Sequence, residues 1–189
     1  MAEALFVFLF FSVALVLVIA VPIAAMYNSF IRLRNHCREA WSNIDTELKR
    51  RYDLIPNLVE TVKGYARHER DILEKVTQLR ARALASTGSP QSQARDENEL
   101  IHGLRTLLAV VERYPQLKAD QHFLELQREL VRTEDRIQAA RRFYNANVRD
   151  LNNKVQSFPS NIIAQMFGFT EQEYFEVEAL VQTVPKVNV

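Results

Sequence analysis

The chain has a single cysteine, Cys37, and only four glycines among its 189 residues. One cysteine excludes an intrachain disulfide framework and a cysteine-rich zinc site. So few glycines give little support to phosphate-binding loops or dinucleotide-binding turns, where glycine lets the backbone approach a phosphate closely. An excess of one charge is also missing, because 24 Lys and Arg face 23 Asp and Glu. Without a net charge that attracts polyanions, nucleic acid is not an expected partner.

A long apolar segment stands near the start of the sequence. No charged side chain occurs from Ala4 to Ile31, and 15 of the 21 residues from Leu5 to Ala25 are Leu, Ile, Phe or Val. As a helix this segment rises about 32 Å, which matches the roughly 30 Å hydrocarbon core of a bilayer. We therefore expect residues 1–26 to form a transmembrane anchor in which residues 5–25 contact lipid.

A cleaved signal peptide is the alternative interpretation of this segment. Such a peptide has a basic start and an apolar stretch of about 7 to 15 residues. Here only Glu3 precedes a longer apolar run, so we expect a retained anchor. Arg32, Arg34 and Arg38 follow the segment, and no Lys or Arg precedes it. The positive-inside rule then predicts an N-terminus outside and the remaining chain in the cytoplasm.

Residues 27–156 carry two series of apolar residues at seven-residue spacing, which is typical of packed or coiled-coil helices. The first series is interrupted by Glu69 and contains Trp41, Leu48, Ile55, Val62, Val76 and Ala83. The second is interrupted by Arg51 and contains Ile44, Leu58, Tyr65, Ile72 and Leu79. The fold class predicted is all-α, with the anchor followed by an antiparallel bundle of about four helices.

Pro56 lies within this pattern, in RRYDLIPNLVE. Inside a helix, proline removes a hydrogen bond and clashes with the preceding turn, at about 3 kcal/mol, whereas the first turn tolerates it. The hypothesis we favour is a helical hairpin, with one helix ending near Tyr52 and the next beginning near Pro56, capped by Asp53. The competing hypothesis is one kinked rod, which the uninterrupted spacing across Pro56 supports.

The remaining elements follow from capping and breaking residues. The segment from Ala85 to Asp96 is rich in Ser, Gly and Pro and predicts a surface loop. A shorter helix should follow and end before Tyr114, since residues preceding proline avoid helical geometry. The last long helix is predicted from an Asp120 N-cap to about Gln156. In residues 157–189 we expect a short apolar helix from Ser160 and a loosely ordered acidic tail.

Three stretches resemble the LemA family of bacterial membrane proteins. They are WSNIDTELKRRYDLIPNLVETVKGYARHE (Trp41 to Glu69), YPQLKADQHFLELQRELVRTEDRIQAARRFYNANVRDLN (Tyr114 to Asn152) and SFPSNIIAQMFGF. The resemblance runs from about Tyr27 to Phe175 and implies one N-terminal transmembrane helix, a helical bundle and a bacterial inner-membrane location. It implies no defined reaction, although relatives are linked to membrane remodelling in magnetosome formation.

Catalytic and metal-binding patterns give little support for an enzyme. Di-iron bundles use two Glu-x-x-His pairs, and this chain has one such spacing, Glu99 to His102. Cys37 adjoins His36, and side chains of adjacent helical residues diverge by about 100°. We expect these groups to be solvated charges and a buried thiol, and we expect no catalytic residue, metal or cofactor.

Two stretches could form an interaction surface. The first stretch is RRYDLIPN (Arg50 to Asn57). In it, Arg51 falls on an apolar position of the heptad series, where an unpaired charge would be costly. An ion pair with Asp53, Glu47 or a glutamate of the last helix is the structural alternative. The second stretch is FPSNIIAQMFGF (Phe158 to Phe169), whose apolar residues could contact lipid, close the bundle end or bind another copy of the chain. The candidate surface residues are Arg50, Arg51, Asp53, Pro56, Asn57, Phe158, Pro159, Asn161, Ile162, Met166, Phe167 and Phe169.

Two classes of function are compatible with these features. The first is a membrane-anchored, non-enzymatic scaffold that self-associates, organises or remodels membrane, or recruits protein partners. The second is a membrane-tethered signalling adaptor that uses the Pro56 region as a hinge.

Overall fold

The computed structural model describes residues 2–180. Within this range the chain forms helices and no strand, as the all-α prediction required. The helices are α1 (Ala2–Tyr65), α2 (Arg70–Ala85), α3 (Pro90–Val111), α4 (Pro115–Lys118), α5 (Gln121–Gln156) and α6 (Ser160–Phe167).

The described residues divide into two compact units. The first, here called the α6 unit, comprises residues up to Glu39 together with Ala146–Gln172. The second, here called the bundle unit, comprises Ala40–Asn145 and the residues from Glu173 onward. Helices α1 and α5 each contribute residues to both units.

Four long helical segments, from α1, α2, α3 and α5, build the bundle unit together with the short helix α4. Helices α1 and α5 run in opposite directions, because Trp41 packs on Tyr144 while Tyr65 bonds Asp120 at 2.9 Å. The prediction of about four antiparallel helices is confirmed. The core of α1 in this unit uses both predicted heptad series: Ile44, Leu48, Ile55, Leu58 and Val62 are buried.

Helix α1 continues through Pro56 to Tyr65, so the hairpin that we favoured at Pro56 is wrong. Proline at position 56 cannot donate to the carbonyl of Tyr52, its partner four residues back. The side chain of Arg80, on α2, supplies the missing donor, with Nε 2.6 Å from that carbonyl oxygen. A side chain of the neighbouring helix α2 thus satisfies the Tyr52 carbonyl that Pro56 leaves without a donor, so α1 can continue through the proline as one helix.

The turn that replaces the predicted hairpin lies at residues 66–69. The amide of Ala66 makes the last α1 hydrogen bond, to Val62, and the amide of Glu69 closes the turn onto Ala66. The Glu69 carboxylate accepts from Arg113 at 2.8 Å and from the Tyr114 hydroxyl at 3.3 Å. Glu69, the interruption of the first heptad series, is therefore polar because it stabilises the turn.

The hydrogen bond from Arg80 to the Tyr52 carbonyl, which Pro56 leaves without a backbone donor, predicts non-additive stability changes. Arg80→Met should lower the free energy of unfolding by about 1.5 to 3 kcal/mol, the usual contribution of a hydrogen bond to a charged group. In a Pro56→Ala background the restored backbone amide satisfies Tyr52, so the same substitution should cost less than about half as much. Urea unfolding of the four variants, followed by fluorescence of the lone Trp41, measures this. Equal costs in both backgrounds would contradict the assignment.

Helix α3 begins earlier than predicted, since the expected loop from Ala85 to Asp96 becomes helical at Pro90. The Ser89 side chain accepts from the amide of Ser92, and Pro90 occupies the first helical position, which suits its fixed φ. The predicted bounds of the last long helix agree with the structure. Helix α5 begins at Gln121, where Asp120 caps it by accepting from the Phe123 amide at 2.9 Å, and it ends at Gln156.

The tail is ordered up to Leu180, contrary to the loosely ordered tail that we predicted. In the bundle unit, Glu173–Leu180 runs as an extended segment, here called the C-terminal strap. Phe175, Val177 and Leu180 are buried, whereas Glu176 and Glu178 are exposed. The remainder of the predicted tail, 181–189, lies outside the described residues.

Polar side chains replace a β-strand partner for this strap. The side-chain amide of Asn145 accepts from the Phe175 backbone N–H at 2.9 Å and donates to the Phe175 carbonyl at 3.1 Å. Asn98 likewise accepts from the Glu178 amide at 2.8 Å and donates to the Glu176 carbonyl at 3.3 Å. Extended backbone is stable without a sheet here because these side chains satisfy its hydrogen bonds.

Removing one of these amides should loosen the strap. Asn145→Ala leaves the backbone of Phe175 without both partners and should destabilise the bundle unit by about 1 to 3 kcal/mol. Because the rings of Trp41 and Phe175 lie 5.2 Å apart, Trp41 emission reports both strap release and unfolding. The control is Asn153→Ala, an exposed position on the same helix, which should change stability by less than about 0.5 kcal/mol. Equal effects of the two substitutions would show that the strap is not held by Asn145.

Candidate interaction surfaces

The residues expected at a hairpin corner lie instead within the C-terminal third of α1. Arg50, Asp53, Pro56 and Asn57 are exposed, and Arg50 approaches Glu47 at 3.7 Å. Glu47 is half-buried and Arg50 is exposed, and an ion pair at this distance with one solvated partner contributes little stability. These four residues share one solvent-facing side of a continuous helix and do not project from a bend.

Arg51 is not part of that surface, because its side chain is fully buried. Its Nη1 donates to Glu134 on α5 at 3.0 Å, and its Nη2 donates to Glu97 on α3. The assignment of Arg51 to an exposed interaction surface is therefore wrong. The alternative, an ion pair with a glutamate of the last helix, is present.

Neutral donors complete the environment of the two glutamates. Glu97 also accepts from the hydroxyl of Tyr52, and Glu134 Oε1 accepts from Gln138 at 2.8 Å and from the Leu180 amide at 3.3 Å. Burial, followed by the negative charge of Glu97, raises the pKa of the Tyr52 hydroxyl, which therefore remains a donor. This cluster links three helices and the strap.

The second candidate stretch forms α6 and its flanks in the α6 unit. Four apolar side chains are strongly exposed: Phe158 by 81%, Ile162 by 48%, Met166 by 66% and Phe167 by 49%. Pro159 is exposed as well, and Asn161 is half-buried.

Phe169 differs from the other candidates of this stretch because it is buried. Its ring stacks on Phe30 of α1, with centroids 4.7 Å apart. The expectation that Phe169 is part of an exposed surface is corrected: it fixes α6 against α1. Gly168, with φ of 69°, ends α6 and turns the chain so that Phe169 can reach Phe30.

Basic side chains border this junction, and only those on α1 were apparent from the sequence. Lys154 of α5 donates to the Ser29 hydroxyl and lies 5.3 Å from the centre of the Phe30 ring. The guanidinium carbon of Arg34 lies 5.6 Å from the centre of the Phe169 ring. A lysine at position 154 gave no signal in the sequence, because only the fold brings α5 beside α1.

The groups considered for catalysis are dispersed. Burial, followed by the charge of Asp150, raises the pKa of the Cys37 thiol, which disfavours the reactive thiolate. Glu99 pairs with Arg82 at 2.7 Å. Across residues 2–180 no group of three or more His, Cys, Asp and Glu side chains could hold a metal ion.

A groove of about 830 Å³ lies between the end of α1 and α2 in the bundle unit. Both apolar side chains, such as Val59 and Leu73, and charged side chains line this groove. The charged residues are Glu60, Lys63, Arg67, Arg70 and Glu74. The groove lies beside the turn at residues 66–69, whereas the sequence analysis had predicted the turn between Tyr52 and Pro56.

The arrangement is that of an apolar helix extended into a helical bundle, and comparison with protein-family models gives a match over residues 40–189, to the LemA family. The chain belongs to the LemA family. The match covers the bundle unit, α6 and the strap, whose elements have just been described.

Individual relatives of this LemA-family chain are distant in sequence. Protein LemA of Metamycoplasma hominis is 28% identical over 154 residues, covering 81% of this chain and 70% of the relative. Magnetosome protein MamQ 2 of Paramagnetospirillum magneticum is 27% identical over 175 residues, covering 79% of this chain. Magnetosome protein MamQ of Magnetospirillum gryphiswaldense is 25% identical over 174 residues, again covering 79% of this chain. The match spans 64% of the length of each of these MamQ relatives. Family membership and these relatives support a membrane-associated protein of the LemA type.

Proposed function

We propose that this chain is a membrane-anchored, non-enzymatic interaction protein of the LemA type. The observation that carries the proposal is the exposure of the first part of α1. Every Leu, Ile, Val and Phe side chain from Leu5 to Val21 is more than half exposed, for example Phe8 by 73% and Val18 by 69%. An apolar surface of this length is stable when lipid covers it.

The basic residues that follow the apolar run define the orientation that we propose. Arg32, Arg34 and Arg38 come directly after the run. The positive-inside rule then places the N-terminus outside and the bundle unit in the cytoplasm of a bacterial inner membrane, in a single-pass topology.

The output that we propose is binding, with self-association and recruitment of protein partners that organise or remodel membrane. Relatives named as magnetosome proteins favour a role at membranes. The groove between α1 and α2 offers a concave surface with mixed charges to a protein partner. A signalling adaptor with a hinge at Pro56 is less favoured, because α1 is continuous there and Arg80 holds the Tyr52 carbonyl.

Fractionation of cells that produce the full-length chain tests this proposal. The chain should stay in the membrane fraction after an alkaline carbonate wash, which removes peripheral proteins. Protease added to intact spheroplasts should leave the bundle unit uncut, and should digest it once the membrane is permeabilised. A carbonate-soluble chain, or a bundle unit cleaved from outside, would overturn the anchor or the orientation respectively.

A further inference from the structure

Helix α6 has an unusual distribution of side chains for a helix at a protein surface. Its inward side chains, Ser160, Ile163 and Ala164, are buried, as expected. Its outward side is mostly apolar as well, although it includes the exposed Gln165, whereas the outward side of a helix in water is normally polar. What we call the exposed apolar face of α6 comprises Ile162, Met166 and Phe167 of the helix together with Phe158, which precedes it.

The position of this face along α1 indicates what covers it. Tyr27 follows the apolar run by two residues, a rise of about 3 Å. The Tyr27 ring lies 4.9 Å from that of Phe167 and 5.7 Å from that of Phe169, centroid to centroid. Within the α6 unit, α6 therefore packs at the level where the apolar run of α1 ends. Tyrosine is also a residue that favours the membrane–water interface.

Positively charged side chains lie beside the contact between α6 and α1. Three side chains form what we call the basic group, Arg32, Arg34 and Lys154. Arg34 Nε is buried without a hydrogen-bond partner among the described residues. Burial, followed by the positive charge of Arg32, lowers the pKa of Lys154, as expected where cations are close together. An anion placed here would neutralise this charge.

We propose that α6 lies in the headgroup boundary of the leaflet through which α1 leaves the bilayer, with its exposed apolar face in the acyl region and the basic group on anionic headgroups. The inference rests on the membrane anchoring by α1 proposed above, and it names lipid as the partner of the α6 surface. Interfacial helices reach about 5 to 10 Å into this boundary.

A second copy of the chain is the competing occupant of this face. A two-fold contact through one patch places the same residues of both copies together. It would therefore bring two basic groups close to each other, which costs free energy, whereas anionic lipid would neutralise them. The face is also adjacent to the apolar run of α1, so lipid is the occupant that the structure favours.

Depth-dependent quenching of a fluorophore tests the proposal on the full-length chain. An environment-sensitive probe is attached at Met166→Cys or, separately, at Phe158→Cys, each in a Cys37→Ser background. The vesicles contain phosphatidylcholine and phosphatidylglycerol in equal parts, with bromine at defined acyl positions. A probe at Val16→Cys reports whether α1 spans the bilayer, and a probe at the exposed Glu125→Cys is the aqueous control.

The proposal predicts a deep probe at position 16, an unquenched probe at position 125, and probes at 158 and 166 about 5 to 10 Å below the phosphates. A deep probe at 16 with water-exposed probes at 158 and 166 would overturn the α6 inference and leave the anchor intact. Probes at 158 and 166 that are shielded from water but not quenched by brominated lipid would show a second copy, and would also overturn it. Water exposure at 16 would overturn the anchor itself.

A second measurement tests the headgroup preference. Brominated phosphatidylglycerol should quench the probe at position 166 more strongly than brominated phosphatidylcholine in mixed vesicles. Replacing the basic group by Arg32→Gln, Arg34→Gln and Lys154→Gln should make the two lipids quench equally. Equal quenching before these substitutions would contradict the assignment of anionic headgroups to the basic group.

Discussion

Arg51→Met should lower the free energy of unfolding of the bundle unit by about 3 to 5 kcal/mol, the cost of leaving buried charges without a partner. Glu97 and Glu134, only 1% and 3% exposed, would then lie in the core without their shared cation. Total stabilities of domains are about 5 to 15 kcal/mol, so this loss would be a large fraction of the free energy of unfolding. Urea unfolding in detergent, followed by Trp41 fluorescence, gives the value.

The matched control is the neighbouring residue on the same helix. Arg50→Met removes the ion pair between this exposed arginine and Glu47 and should cost less than about 1 kcal/mol. Adding Glu97→Gln and Glu134→Gln to Arg51→Met removes the buried charges while keeping acceptors for Tyr52 and Leu180. This triple variant should recover part of the lost stability. If Arg51→Met is as mild as Arg50→Met, the buried cluster does not stabilise the fold.

Substituting two residues of the apolar run of α1 by aspartate should release the chain from the membrane. Each Asp at the centre of a transmembrane helix costs about 2.5 to 3.5 kcal/mol, so Leu15→Asp with Val18→Asp costs about 5 to 7 kcal/mol. Of the 15 Leu, Ile, Phe and Val residues of the run, the 13 that remain favour insertion by about 0.3 to 0.6 kcal/mol each. These contributions then nearly cancel, and the variant should leave the carbonate-washed membrane fraction.

The control for this prediction is Leu15→Ala with Val18→Ala, which shortens the same side chains without adding charge. It should remain in the membrane fraction. Retention of the aspartate variant after carbonate washing would show that another part of the chain holds it to the membrane.

Several features of the fold were predictable because one local cause determines each. The Asp120 cap and the end of α5 follow from capping chemistry and heptad spacing, and α6 begins at Ser160 as its flanking proline and glycine indicated. The strap also had a signal that we missed. Buried Phe175 and Val177 alternate with glutamates, which is typical of an extended segment with one buried side.

The remaining features depend on partners that are distant in sequence. Nothing near Pro56 shows that Arg80 will bond the Tyr52 carbonyl, and so allow α1 to continue. Arg51 interrupts an apolar series, but its two glutamates lie 46 and 83 residues away. Glu69 interrupts the other series and marks the real turn, so both exceptions to the heptad pattern are structurally informative. The basic group likewise forms only where α5 meets α1.

Native mass spectrometry of the full-length chain, purified from membranes in mild detergent, tests most directly whether it is an anchored protein that acts by binding. We predict an intact chain of 21.9 kDa that retains its apolar segment and appears as a multimer or with a co-purified protein. A chain found in the soluble fraction without its first two dozen residues, or a strict monomer without any partner, would contradict this function.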